Sequence, residues 1–308
     1  MEEYDVAIIG GGPAGASAGI YTARSNLKTI ILEKGLIGGL INNAPLLENY
    51  PGFDPAPGLQ FGMKLQEQLD KLNIKVEMQE ITDIDKIEEG FLLRNNDFSI
   101  KAKSVIITTG SVYRHLNIPG EEELLGKGVA YCATCDAPLF KDKTVAIIGG
   151  GDSAFRSAQV LTDLCKKVYL FDFADEFIAT KAVIDDVKNR VNIELQNNTT
   201  VLEILGKNKV EKIKIKNIKT NEIREIEIDG IFINIGTVPL SQLAEGLGIE
   251  LDKNKFIKVD ENRMTNIPGV FAAGDITGSW AQAIYAAAEG ALAGSKVFEY
   301  LKNKKIKK

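Results

Sequence analysis

The sequence predicts an α/β chain of two three-layer domains, one inserted in the other. Three observations carry this. A strand, glycine turn and helix occur in succession twice, at Tyr4–Ser25 and again at Thr144–Leu164. Each copy runs on into an alternating hairpin and an apolar strand that ends in glycine. The last part of the chain holds an apolar strand and a small-residue helix that return to the first copy.

The first copy reads as strand Tyr4–Ile9, turn Gly10-Gly11-Gly12-Pro13-Ala14-Gly15, helix to about Ser25, and strand Lys28–Leu32 ending on Glu33, with Lys34 next. Each part has a physical task. Gly10 makes the tight turn, Gly12 lets the backbone approach a pyrophosphate, and Gly15 lets helix and strand pack closely. The helix start turns N–H groups toward the anion. Glu33 stands 18 residues past Gly15, where an acidic side chain accepts hydrogen bonds from a ribose diol.

The second copy follows the same plan. Strand Thr144–Ile148 leads to the turn Gly149-Gly150-Gly151-Asp152-Ser153-Ala154 and a helix to about Leu164. Strand Lys167–Phe171 ends on Asp172, again 18 residues past the turn's last residue. One glycine turn is weak evidence; two with matched acidic spacing imply two dinucleotide sites, or the remnants of two. The hairpins are Gly90–Ala102 and Val210–Ile228, the second alternating as Lys212-Ile213-Lys214-Ile215-Lys216. The closing strands are Val105–Gly110 and Ile231–Gly236. The expected fold is therefore two Rossmann-like, three-layer nucleotide-binding domains.

Val270-Phe271-Ala272-Ala273-Gly274-Asp275 reads as a buried strand ending in Gly-Asp, before a helix at about Ala281–Leu301. The Ala and Gly of that helix suit close packing against a sheet or a flat cofactor. Residues 1–114 and 241–308 are expected to form the outer domain, and 115–240 the inserted one.

Composition bounds the function. Of 308 residues, 44% are hydrophobic and 26% charged, as in a globular protein of about two domains. A net charge of -5 gives no electrostatic reason to expect nucleic acid or an anionic membrane. The basic run Lys302–Lys308 reads as a solvated, fraying tail. No apolar stretch approaches the ~20 residues of a membrane span, and the N-terminus lacks a secretory signal. A soluble, cytoplasmic protein is expected.

Tyr131-Cys132-Ala133-Thr134-Cys135-Asp136 lies just before the second glycine turn. Two thiols at this spacing close a disulfide, and Asp136 is placed to act as general acid or base when the dithiol forms. A zinc half-site is the competing reading. Zinc usually takes four ligands, and only Cys165 and the single histidine, His115, remain to offer; no metal is expected. Cys165 reads as an inert packing thiol.

Gly10–Gly15, Gly38-Gly39, Glu48-Asn49-Tyr50-Pro51-Gly52, Cys132–Asp136 and Gly269–Asp275 together make the chain resemble a known family. Over nearly its whole length it is similar to the low-molecular-weight thioredoxin reductases and the related flavoprotein component of alkyl hydroperoxide reductase. The resemblance implies FAD in the outer domain, held by Gly10, Gly12, Glu33, Gly38, Gly39, Asn49, Asp275, Gln282 and Ala283. Leu40, Ile81, Thr109, Gly110 and Gly274 are expected beside them. It also implies that Cys135 faces the flavin, that Cys132 attacks the disulfide of thioredoxin or a thioredoxin-like protein, and that Asp136 supplies the proton. A homodimer is implied as well. So is a rotation of the inserted domain about hinges near Arg114–Leu116 and Thr237–Leu240. Reductases of the glutathione reductase kind fit badly, since they need a C-terminal histidine and a further domain.

The second site departs from the family's NADPH pattern. Where a His-Arg-Arg cluster binds the 2′-phosphate, this chain has Asp172-Phe173-Ala174, with no cation until Lys181. A carboxylate against that phosphate costs ~1–2 kcal/mol after screening, about tenfold or more against NADPH. NADH is therefore the expected donor. Leu40 replaces a common Gln, and Ala281 a common Arg. The alternatives are a ferredoxin-fed thioredoxin reductase with a vestigial second site, an NADPH enzyme, and a non-catalytic flavin redox sensor.

Overall fold

The computed structural model describes residues 1–306; of the basic run, Lys307 and Lys308 lie outside the described residues. The chain divides into two compact units, residues 1–112 with 238–308, and residues 113–237. The expected changeovers lie two and three residues further along than these. The difference arises because short strands, Ser111–Tyr113 and Thr237–Pro239, carry the crossings.

In the first unit, Lys75–Met78, Thr29–Glu33, Glu3–Ile9 and Ser99–Ile107 lie side by side in parallel. Strand order reverses direction between Glu3–Ile9 and Ser99–Ile107, and a ligand crevice forms at the carboxyl ends of such a pair. Both strands are apolar on both faces near that end, as helices covering each side require. Ser99–Ile107 has two partners on its far side. Its first half pairs antiparallel with Gly90–Arg94, and its end pairs parallel with Val270–Ala272.

The second unit repeats the reversal. Its all-parallel sheet runs Ile193–Gln196, Lys167–Phe171, Thr144–Ile148, Gly230–Ile233, Val129–Ala130. The two copies differ in one respect. In the first, hairpin and closing strand are one continuous strand; in the second they are separate, Ile223–Glu227 and Gly230–Ile233. Asp229 causes the break: its N–H donates to Thr144 O and its carboxylate accepts from Thr144 N, which turns the chain. The second hairpin consequently joins Thr199–Leu205 in its own three-stranded antiparallel sheet.

Helix Pro13–Arg24 begins with Pro at its first turn and buries Ala14, Gly15, Ala16, Ala18 and Gly19. The final helix, Ala283–Ile306, runs five residues beyond its expected end. Its glycines Gly290 and Gly294 pack on the first helix. A Cβ at Gly290 would strike Ala14 O, and one at Gly294 would lie 2.8 Å from Ala18 O. Phe155, Phe171, Phe232 and Phe271 are fully buried, each burial stabilising by roughly 1.5–3 kcal/mol. Among the described residues no helix is long and apolar enough to cross a membrane.

Candidate functional site

The first glycine turn sits at the carboxyl end of Glu3–Ile9. Gly10 has φ 103°, and a Cβ there would strike Thr108 O; a Cβ on Gly15 would strike Gly10 O. Packing therefore demands glycine at both places. Gly12 differs: the nearest atom to a Cβ would be Gly38 O, 4.0 Å away. Its open face is what close approach of a pyrophosphate needs. The Glu33 carboxylate points back at this turn, accepting from Gly11 N at 2.5 Å and Gly35 N at 2.8 Å.

More distant segments close on the same turn. Gly38 N donates to Gly11 O at 2.9 Å, and a Cβ on Gly39 would lie 3.3 Å from Gly12 Cα. Gly274, at φ 81°, would bring a Cβ within 2.9 Å of Ala14 Cβ, so Asp275 arrives beside the start of the first helix. Burial, and secondarily the Glu289 carboxylate, pushes Asp275 up to about 6. Asn49 and Gln282 are hydrogen-bonded at 3.1 Å, and Ala283 opens the last helix.

Several other expected positions make contacts within the protein. Ile81 is 6% exposed and belongs to the apolar core with Phe91 and Ile276. Thr109 Oγ1 donates to Leu240 O, and Gly110 O accepts from Leu240 N, tying down the returning chain. Lys34 forms an exposed ion pair with Glu80, and Leu40 is exposed.

In the second unit, Gly149 has φ 132° and a Cβ there would strike Asn234 O, whereas a Cβ on Gly151 would meet open space. Ala154 takes the third place with its methyl fully buried. Asp172 lies beneath Gly150, where a Cβ would strike its carboxylate, as Glu33 lies beneath Gly11. Asp172 is 6% exposed; burial raises its carboxyl, partly countered by the N–H groups of Phe173 and Ala174. Phe173 beside it is exposed, as is Ser153 in the turn.

Asp152 holds a strap over this turn. It accepts from Thr180 N at 2.7 Å and Thr180 Oγ1 at 3.3 Å, which lowers its carboxyl, while Ile178 N and Ala179 N donate to Gly150 O. Sequence reasoning missed Thr180, and the only signal for it was the Asp at the turn's helix start. It also overlooked Lys219, which the second hairpin brings onto Asp175 as an ion pair at 2.5 Å.

Cys132 and Cys135 form a disulfide at the start of the short helix Ala133–Asp136. Cys135 N donates to Cys132 Sγ at 3.2 Å. Asp136 N donates to Cys132 O at 3.0 Å, and burial pushes the Asp136 carboxyl up to about 6. A carboxyl near 6 holds and releases a proton close to neutral pH. Cys165 is buried, donates to Phe140 O at 3.2 Å, and is pushed up to about 11 mainly by burial. Burial of this kind fits the packing role expected of it.

The family model for pyridine nucleotide-disulphide oxidoreductases matches residues 4–290. Thioredoxin reductase of Treponema pallidum is 38% identical over 301 residues, covering 97% of each chain. The F chain of alkyl hydroperoxide reductase from Staphylococcus aureus is 40% identical over 304 residues, 97% of this chain. The chain spans only 59% of that relative's length. The crystal structure of thioredoxin reductase from Streptococcus pyogenes superposes with a TM-score of 0.91 at 38% identity, covering 98% of this chain and 99% of the other.

Proposed function

Because this chain belongs to the pyridine nucleotide-disulphide oxidoreductase family, we propose that it is an FAD-dependent thioredoxin reductase that prefers NADH. The observation that carries this is the Cys132–Cys135 disulfide with Asp136 beside it, in a chain with two open glycine turns. FAD fits the first turn: Gly12 has open space beside it, the Glu33 carboxylate meets the turn at Gly11 N, and Asp275, Asn49 and Gln282 belong to the same unit. Bound there, FAD would supply the two-electron chemistry that links a donor to the Cys132–Cys135 disulfide.

The chain's own residues do the rest. In the reduced protein Cys132 attacks a sulfur of the partner disulfide, forming a mixed disulfide and expelling a partner thiolate. Asp136 gives that thiolate its proton. Cys135 then attacks Cys132 Sγ, restoring the Cys132–Cys135 disulfide and freeing the second partner thiol. Thioredoxin or a thioredoxin-like protein is the proposed partner, since two relatives carry that activity in their names.

NADH is proposed for the second turn because Asp172 lies beneath Gly150, where its carboxylate accepts a ribose diol and opposes a 2′-phosphate. Anaerobic stopped-flow reduction of the flavin by NADH, NADPH and reduced ferredoxin tests the whole reading. Fastest reduction by NADH supports it. Reduction by ferredoxin alone replaces it with a ferredoxin-fed enzyme.

A further inference from the structure

Beneath the Gly274–Asp275 turn lies a buried ion pair in which Arg263 faces Glu289. The Glu289 side chain is 3% exposed and that of Arg263 is 20% exposed, and Arg263 Nη1 stands 2.9 Å from Glu289 Oε1. The other carboxylate oxygen, Oε2, accepts from Gly274 N at 2.8 Å and from Thr277 Oγ1 at 3.3 Å. Glu289 thus grips the backbone of the residue that precedes Asp275.

Arg263 meets Glu289 as an ion pair without a hydrogen bond between them. Its Nε is buried with no acceptor, and its contact with Oε1 lacks hydrogen-bond alignment. Its backbone is held at φ 64°, a region that favours Gly or Asn, so the arginine is placed at a conformational cost. What it contributes is charge. Burial and then the Glu289 carboxylate make Asp275 harder to ionise, so negative charge gathers at this turn. A buried carboxylate without a counter-charge takes up a proton or moves away.

We propose that Arg263 is a positioning residue for FAD: its charge holds the Glu289 side chain in place, so that Glu289 keeps the Gly274 N–H and sets Asp275 toward the cofactor. This rests on the reading of the first unit as an FAD site.

The test is FAD binding to the full-length protein, followed by flavin fluorescence, with apo-protein thermal unfolding alongside. Arg263→Met should bind FAD about tenfold or more weakly, because Glu289 is left as a lone buried carboxylate. Arg263→Lys should retain most affinity. Arg263→Met with Glu289→Gln should return to within about threefold of wild type, the non-additivity expected of a coupled pair. A role in packing alone predicts no such recovery. If Arg263→Met does not fold, the folded Arg263→Met/Glu289→Gln and Arg263→Lys proteins decide: loss of affinity in both overturns the inference. So does Arg263→Met binding like wild type. A wild-type chain that takes up no FAD overturns the FAD reading, and the inference with it.

Discussion

Asn49 Nδ2 donates to Gln282 Oε1 at 3.1 Å, joining two segments 233 residues apart in sequence within one unit. The bond closes the first and last parts of the proposed FAD domain over each other. An exposed neutral hydrogen bond of this kind contributes about 0.5–1.5 kcal/mol. Gln282→Ala should therefore weaken FAD retention by roughly two- to tenfold. The FAD-to-protein ratio after dialysis, with chromatography of the released cofactor, measures this; FMN in place of FAD would remove the assignment.

Cys132→Ser and Cys135→Ser should each abolish disulfide reduction, since each removes one half of the dithiol. They should differ in absorbance. The protein that keeps Cys135 is expected to show a long-wavelength band from a thiolate beside the flavin, and the protein that keeps Cys132 is not. A band in the Cys132-only protein would exchange the two roles.

Asp136 titrates near 6 in the folded chain against an ordinary value of 3.8, because burial disfavours its charged form. Its acid function is present below about pH 6 and is lost as pH rises through that value. Reoxidation of the dithiol by the partner should slow across that window, and Asp136→Asn should be about a hundredfold slower with no such inflection. Stability follows the same titration. Between 3.8 and about 6 the folded chain binds more protons than the unfolded one, so stability falls as pH rises through the window. Asp136→Asn should stabilise the protein near pH 7 by on the order of 2 kcal/mol, as read by thermal unfolding.

NADH should reduce the flavin at least about tenfold more efficiently than NADPH, from the ~1–2 kcal/mol of opposition between Asp172 and a 2′-phosphate. Asp172→Ala combined with Phe173→Arg should shift the preference toward NADPH, since Phe173 is exposed beside the carboxylate. Equal stopped-flow rates for the two donors in the wild-type protein would mean that Asp172 only ends a strand.

Both glycine turns, their flanking strands and the cysteine pair were legible in the sequence because each is a local device. A left-handed glycine, a helix start and a Cys-x-x-Cys spacing depend on neighbouring residues, and the turns formed where those residues stand. The matched acidic positions were legible for the same reason: a strand of fixed rise returns Glu33 and Asp172 to the turn they follow. Other features depend on which distant surfaces meet. Lys219 reaches Asp175, Thr180 reaches Asp152, and Gly290 closes on Ala14 only after hairpin, strap and last helix have packed. The shifted carboxyls of Asp136 and Asp275 belong to this second group. Their cause is loss of water, and how much water a residue loses is decided by the whole surrounding fold and not by its neighbours in the chain.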